Sequence, residues 1–138
     1  MADTLHLEIV TAGGAAVDTQ AAQVTLPLAD GEAGILPGHA PLLGALVSGV
    51  VRYTSGDTEH YCAVSTGTVN VAAGNVTVLA RTAERAPDID LARAESALRR
   101  AESDLAARGM EMNISTPEAA RARAKARIRA AELWRKNG

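Results

Sequence analysis

Over residues 4–10 apolar and polar side chains alternate, with Leu5, Leu7 and Ile9 on one side and His6 and Glu8 on the other. A period of two belongs to a strand with one buried face. Gly13-Gly14 breaks that pattern. A looser alternation follows over residues 22–28, around Val24 and Leu26, and Pro27 assigns it to an edge or a strand end. Residues 49–54 and 59–65 flank the turn Ser55-Gly56-Asp57, and residues 68–72 and 76–80 flank Ala73-Gly74-Asn75, so two hairpins are expected. Short strands at this spacing predict an all-β sandwich, a flattened barrel of about ten strands. The sandwich spans residues 1–86, and Arg85-Ala86-Pro87 marks its end.

From Asp88 the period lengthens. Leu91, Ala94, Leu98, Ala101 and Leu105 recur at three- and four-residue steps, which makes one stripe of a helix apolar. Asp88 or Asp90 can cap its start, and Gly109 can end it. Ser115-Thr116-Pro117-Glu118 opens a second helix. Thr116 as cap puts Pro117 at the first helical position, Ser115 as cap makes a box with Glu118, and the sequence leaves both open. Residues 119–131 alternate alanine with arginine or lysine in a strand-like rhythm, but residue propensity and the capping signals favour helix. Residues 87–138 therefore read as a C-terminal antiparallel α-helical hairpin.

The stripes expected to face each other are thin: Ala94, Ala97 and Ala101 against Ala120, Ala124, Ile128 and Ala131. A buried methyl contributes only ~0.8 kcal/mol, against up to ~2 kcal/mol for ordering one residue's backbone. Such a hairpin is expected to open or move readily. Trp134 is its one large side chain, either a lid over the hairpin or sandwich or a contact for a partner.

Composition adds a charge asymmetry and several exclusions. Residues 1–86 carry three basic side chains against eight acidic ones, whereas residues 117–138 carry seven basic against two acidic. A basic arm on an acidic body points to an acidic partner, or to simple solvation. The sandwich has no phenylalanine, so its core must be aliphatic, and a unit of about 85 residues of this kind is only modestly stable alone. The single cysteine, Cys62, excludes a disulfide framework and reads as a small, half-buried strand residue. No signal-peptide pattern opens the chain. The apolar run at residues 35–51 is interrupted by Pro37, His39, Pro41 and Ser48 and is too short to span a bilayer, so no direct membrane insertion is expected. No phosphate loop of the Lys-Ser/Thr type, zinc-type spacing or catalytic constellation is present, and the expectation is a non-catalytic protein needing no metal or cofactor.

One stretch differs from the rest: Gly31-Glu32-Ala33-Gly34-Ile35-Leu36-Pro37-Gly38-His39-Ala40-Pro41-Leu42-Leu43. Its glycines permit unusual backbone and its prolines fix φ, so it reads as a shaped loop presenting Leu42 and Leu43 after a turn. His39 reads as a turn residue bonded to backbone. The pattern G-E-x-G-I-L-P-G-H-A-P-L-L resembles the signature of the ε subunit of bacterial F-type ATP synthases. The likeness extends over the whole chain, from the all-β first part through this loop to the alanine-rich helical pair.

That resemblance implies a central-stalk rotor subunit, peripheral on the cytoplasmic face of the bacterial cell membrane. It would couple proton flow through the c ring to ATP synthesis and restrain ATP hydrolysis through mobile C-terminal helices. Implied partners are the γ subunit and the c ring, the latter met by Glu32, His39, Pro41 and Leu43, with Glu32 as the ionic contact. In an extended state the basic helix, through Arg121, Arg123, Lys125, Arg127 and Arg129, would meet an acidic segment of the β subunit. Glu84 with Ile89-Asp90-Leu91-Ala92-Arg93-Ala94 matches the I-D-x-x-R-A motif by which some such subunits bind regulatory ATP. The motif implies roles for Glu84, Ile89, Asp90, Arg93 and Ala94, joined by Arg100 and, from the second helix, Arg121 and Arg127. On the residues alone, Asp90 is equally a helix cap and Arg93 a surface charge.

Two other classes compete. A nucleic-acid-binding module using the basic helix is disfavoured by the acidic sandwich and the scarcity of aromatic residues, so no nucleic acid is expected as partner. A free-standing β-sandwich would use residues 31–43 as a ligand pocket.

Overall fold

The structure, a computed structural model, describes residues 3–108 and 115–137, without the side chains of Arg108, Ser115 and Thr116. The helix stop expected at Gly109 and the choice between Ser115 and Thr116 as cap lie outside the described residues. Ten strands come first: β1 (Leu5–Thr11), β2 (Gly14–Ala21), β3 (Gln23–Leu28), β4 (Gly31–Ile35), β5 (Leu42–Leu46), β6 (Gly49–Ser55), β7 (Thr58–Val64), β8 (Gly67–Ala72), β9 (Asn75–Ala80) and β10 (Ala83–Arg85). A single 3-10 turn at Ala86–Asp88 leads to α1 (Leu91–Arg108) and α2 (Ser115–Asn137).

The strands form one sheet in the order β10-β7-β6-β3-β5-β8-β9-β1-β2, with β4 added on β3. Every pairing is antiparallel except β1 with β9. The sheet wraps one aliphatic core that includes Leu5, Leu7, Ile9, Val24, Leu26, Ile35, Val51, Val69, Val71, Val76 and Val78. The alternation in β1 is thus a core face and an outer face. Cys62 lies fully inside, not half-buried, because its side chain points to this core from β7.

Residues 31–43 are not one loop. Residues 31–35 pair with β3 as the edge strand β4, with Val24 opposite Ile35 and Leu28 opposite Gly31, and β5 begins at Leu42. Only residues 36–41 remain as loop. Glycine is tolerated in β4 because β4 pairs on one side alone, and Ile35 still drives the strand by burying its side chain completely. Pro27 sits where β3 changes partner, between its pairing to β6 at residues 23–25 and its contact with β5 at Leu28.

The β6–β7 hairpin is covered on both faces. Val51, Tyr53, Cys62 and Val64 enter the main core, whereas Val50, Tyr61 and Ala63 join Ala86, Ala126 and Ala130 in a second cluster, flanked by Ile89 and Leu133. Helix α2 therefore lies between β6–β7 and α1. Helices α1 and α2 pack on each other, with Ala94 and Ala101 of α1 and Ala124 and Ala131 of α2 buried and Ala97, Ala120 and Ile128 half-buried. Sequence patterning shows the face toward α1. The stripe Ala126, Ala130, Leu133 toward the sandwich is a second face that the alanine–arginine alternation conceals. Trp134 stays 40% exposed near the end of α2.

Candidate functional site

Where β10 passes through the 3-10 turn into α1, the chain turns sharply, and Asp90 begins the helix. Its Oδ1 accepts from the Arg93 backbone N–H at 3.1 Å, and its carbonyl accepts from Ala94 N at 3.0 Å. Asp90, not Asp88, is the cap, and it satisfies one of the donors that a helix start leaves open.

Beside this cap lies a cleft of about 670 Å³ lined by Glu84, Asp88, Asp90, Arg93, Ala94, Ser96, Ala97, Arg100 and Arg127. Three elements build it. Strand β10 supplies Glu84, α1 supplies Arg93 and Arg100 two turns apart on one face, and α2 closes it with Arg127. Arg127 Nε stands 3.0 Å from Glu84 Oε1. A smaller adjoining cavity of about 190 Å³ is lined by Thr82, Ala83, Glu84, Arg123 and Arg127, with Ala63 and Val64 as its floor.

Six of the eight residues singled out for nucleotide thus share one cleft: Glu84, Asp90, Arg93, Ala94, Arg100 and Arg127. Ile89 packs instead on the apolar cluster beneath α2. Arg121 turns toward α1, where its Nε is 3.9 Å from Glu102 Oε2. Arg123 is the residue that sequence reasoning placed only in the basic arm. It precedes Arg127 by four positions and so shares its face, whereas Arg121, six positions away, points elsewhere. Helical spacing from Arg127 is the signal that finds it.

Chemically the cleft is an arginine cluster with carboxylates at its edge. Three guanidiniums converge with three carboxylates, and two of those carboxylates are engaged, Glu84 by Arg127 and Asp90 by a backbone N–H. Planar, bidentate donors suit phosphate oxygens. Among the described residues no group of three His, Cys, Asp or Glu side chains is disposed to hold a metal ion.

The other residues singled out lie at the loop end of the sandwich. His39 Nδ1 donates to the Ala40 carbonyl at 2.6 Å, and its backbone N–H reaches Leu36 O at 3.0 Å. The ring is thereby fixed as a turn residue, its Nδ1 carrying the proton because a carbonyl only accepts. Pro41 is exposed beside it, and Leu43 projects 81% exposed. Glu32 stands at the far end of β4 and is not free: Arg52 Nη2 lies 3.3 Å from its Oε2. Of the basic residues of α2, Arg121, Lys125 and Arg129 are exposed, and Arg123 and Arg127 are half-buried. No described helix is long and apolar enough to cross a membrane.

Comparison with known proteins covers nearly the whole chain. Residues 4–86 match the family described as ATP synthase, Delta/Epsilon chain, beta-sandwich domain. Residues 88–132 match ATP synthase, Delta/Epsilon chain, long alpha-helix domain. The ATP synthase epsilon chain of Desulforamulus reducens is 44% identical over 132 residues, covering 96% of this chain and 100% of the relative. That of Nitratidesulfovibrio vulgaris is 43% identical over 129 residues, covering 94% and 96%. A chain in the structure of the Euglena gracilis mitochondrial ATP synthase, OSCP/F1/c-ring, shares the fold with a TM-score of 0.79 at 20% identity, over 96% of this chain and 83% of that one. With both matched domains present in order, and relatives of this identity aligned almost end to end, the chain belongs to the ATP synthase delta/epsilon chain family.

Proposed function

We propose that this chain is a rotor subunit in the central stalk of an F-type ATP synthase, with no active site of its own, and that α1 and α2 act as its movable brake. The β-sandwich seats on the γ subunit and, through His39, Pro41 and Leu43 with Glu32 nearby, on the c ring, at the cytoplasmic face of the membrane. Proton flow turns it with the stalk. In an extended state the basic residues of α2 meet an acidic segment of the β subunit and stop hydrolysis. ATP is a regulatory ligand: it binds the arginine cleft and holds the hairpin folded.

The observation that carries the regulatory part is the composition of the cleft. Its walls come from β10, α1 and α2 together, so it exists only while α2 lies against the sandwich. A ligand that needs all three walls stabilises the folded arrangement over the extended one by its difference in affinity. Calorimetric titration of the full chain with ATP tests this. Binding is expected, and Arg93→Ala should weaken it at least tenfold, since a charge-assisted hydrogen bond contributes ~1.5–3 kcal/mol. Equal affinity for Arg93→Ala and the parent chain removes the nucleotide role.

The brake has its own test. A complex reconstituted with Arg121, Arg123, Lys125 and Arg127 neutralised should hydrolyse ATP faster than the parent complex. Unchanged hydrolysis counts against the basic face as the inhibitory element.

A further inference from the structure

At its C-terminal end α2 meets the sandwich through a short chain of polar bonds. Asn137 Nδ2 donates to the Tyr61 hydroxyl at 2.6 Å, and that hydroxyl donates to Glu59 Oε1 at 2.7 Å. The orientation is internally determined. The phenol has one proton, a carboxylate only accepts, and so the phenol oxygen must receive its second bond from the Asn137 amide N–H. Glu59 and Tyr61 are two apart in β7 and share its outer face, the face that α2 covers. The ring of Tyr61 is buried in the second cluster.

On α2, Asn137 continues the stripe that docks on β6–β7. Ala126, Ala130, Leu133 and Asn137 follow at steps of four, three and four, the spacing of one helix face. Three of these offer only methyl or isobutyl groups, which slide and turn easily because burial is non-directional. Only the fourth makes a bond with a required direction. We infer that Asn137, Tyr61 and Glu59 form a latch that sets the resting position of the hairpin, holding the end of α2 on β7 until the bond is broken. This inference rests on the reading of α1–α2 as a movable brake.

The latch makes the hairpin's release local. Among the described residues α2 meets the sandwich by two directional contacts, the partly exposed Arg127–Glu84 pair midway along the helix and the Asn137–Tyr61 bond at its end, so fraying of α2 from its C-terminus must begin with loss of the latter. Burial raises the pKa of the Tyr61 phenol, and the hydrogen bond to Glu59 raises it further, so the hydroxyl keeps the proton that the arrangement needs.

Hydrogen exchange of the full-length chain, resolved by peptide, tests the latch directly. Tyr61→Phe keeps the buried ring and deletes the hydroxyl. Asn137→Asp keeps the side-chain shape but removes the N–H and places a carboxylate near Glu59. Each should speed exchange in the C-terminal half of α2 by about two- to tenfold, with Asn137→Asp the larger, while amides of β1, β8 and β9 keep their rates. With Asn137→Ala measured alone as well, the double variant Tyr61→Phe/Asn137→Ala should be no faster than the faster of its two single variants, since both break the same bond. Unchanged exchange in α2 for Asn137→Asp, or fully additive effects in the double variant, overturns the latch. Hydrolysis by the reconstituted complex separates the two ideas. Slower hydrolysis with Asn137→Asp supports latch and brake together. Faster α2 exchange with unchanged hydrolysis keeps the latch and sinks the brake.

Discussion

Arg127 and Glu84 join α2 to the last strand of the sandwich through an Nε–Oε1 separation of 3.0 Å, with both side chains about a third open to solvent. This one pair lines both cavities and couples the edge of the sheet to the helix that covers it. Its exposure limits its strength. Glu84→Gln should lower the unfolding free energy by no more than ~1 kcal/mol, and the loss should shrink in concentrated salt, as urea midpoints at low and high ionic strength would show.

Among the described glycines, Gly67 leaves the least room for a side chain. A Cβ there would lie 1.8 Å from the carbonyl oxygen of Leu79, across the β8–β9 pairing. Backbone is the obstacle, so no rotamer change relieves it. Gly67→Ala should cost about 3 kcal/mol or prevent folding, read as a lost or strongly lowered thermal transition.

In the turn between β8 and β9, Ala73 adopts φ 51° and Gly74 φ 81°. Alanine carries a steric cost in that left-handed region, which asparagine tolerates much better. Ala73→Asn should therefore raise stability by ~0.5–1 kcal/mol, visible as a higher melting temperature with the fold unchanged.

His6 Nε2 lies 2.6 Å from Asp18 Oδ1 across β1 and β2, and this hydrogen bond raises the imidazole pKa above 6.5. A raised folded-state pKa contributes stability that is complete below the unfolded value of 6.5 and is lost as pH climbs through the folded value. The denaturation midpoint should fall over that interval. His6→Gln should flatten the fall, and an unchanged slope in that variant would assign it to another group.

Cys62 is wholly enclosed, and burial pushes its thiol up to about 12. With neither access nor thiolate, it should resist disulfide reagents in mildly alkaline buffer. Labelling should proceed at the rate of unfolding, which makes Cys62 a native reporter of global opening.

Most of the fold was legible because its signals are local. The alternation of Leu5, Leu7 and Ile9 reports a buried face directly, and the glycine-containing turns at Gly56 and Gly74 mark both predicted hairpins. What local pattern could not reveal were long-range pairings. Strand β4 is too glycine-rich to signal itself and exists because β3 offers it a partner. The second docking face of α2 was hidden for a related reason: alanine fits either a seam or a solvent face, and only Leu133 and Asn137 distinguish this one. In the cleft, Glu84, Asp90, Arg93 and Arg100 were grouped by the motif resemblance and not by any local pattern, and they line one cavity. The register of α2 was the weak point, since alternating alanine and arginine leaves its rotation open until Arg127 is seen on Glu84.

The double coating of β6–β7 sets a condition on any extended form. Lifting α2 would strand Val50, Tyr61, Ala63 and Ala86 in water, together with Ala126, Ala130 and Leu133 on the departing helix. Wetting both halves of that seam is unfavourable, so an upright helix is expected to persist only where another subunit offers it a replacement groove. The bare patch left on the sandwich would then be a transient, sticky surface, and its size would govern how quickly the brake falls back when the complex lets go.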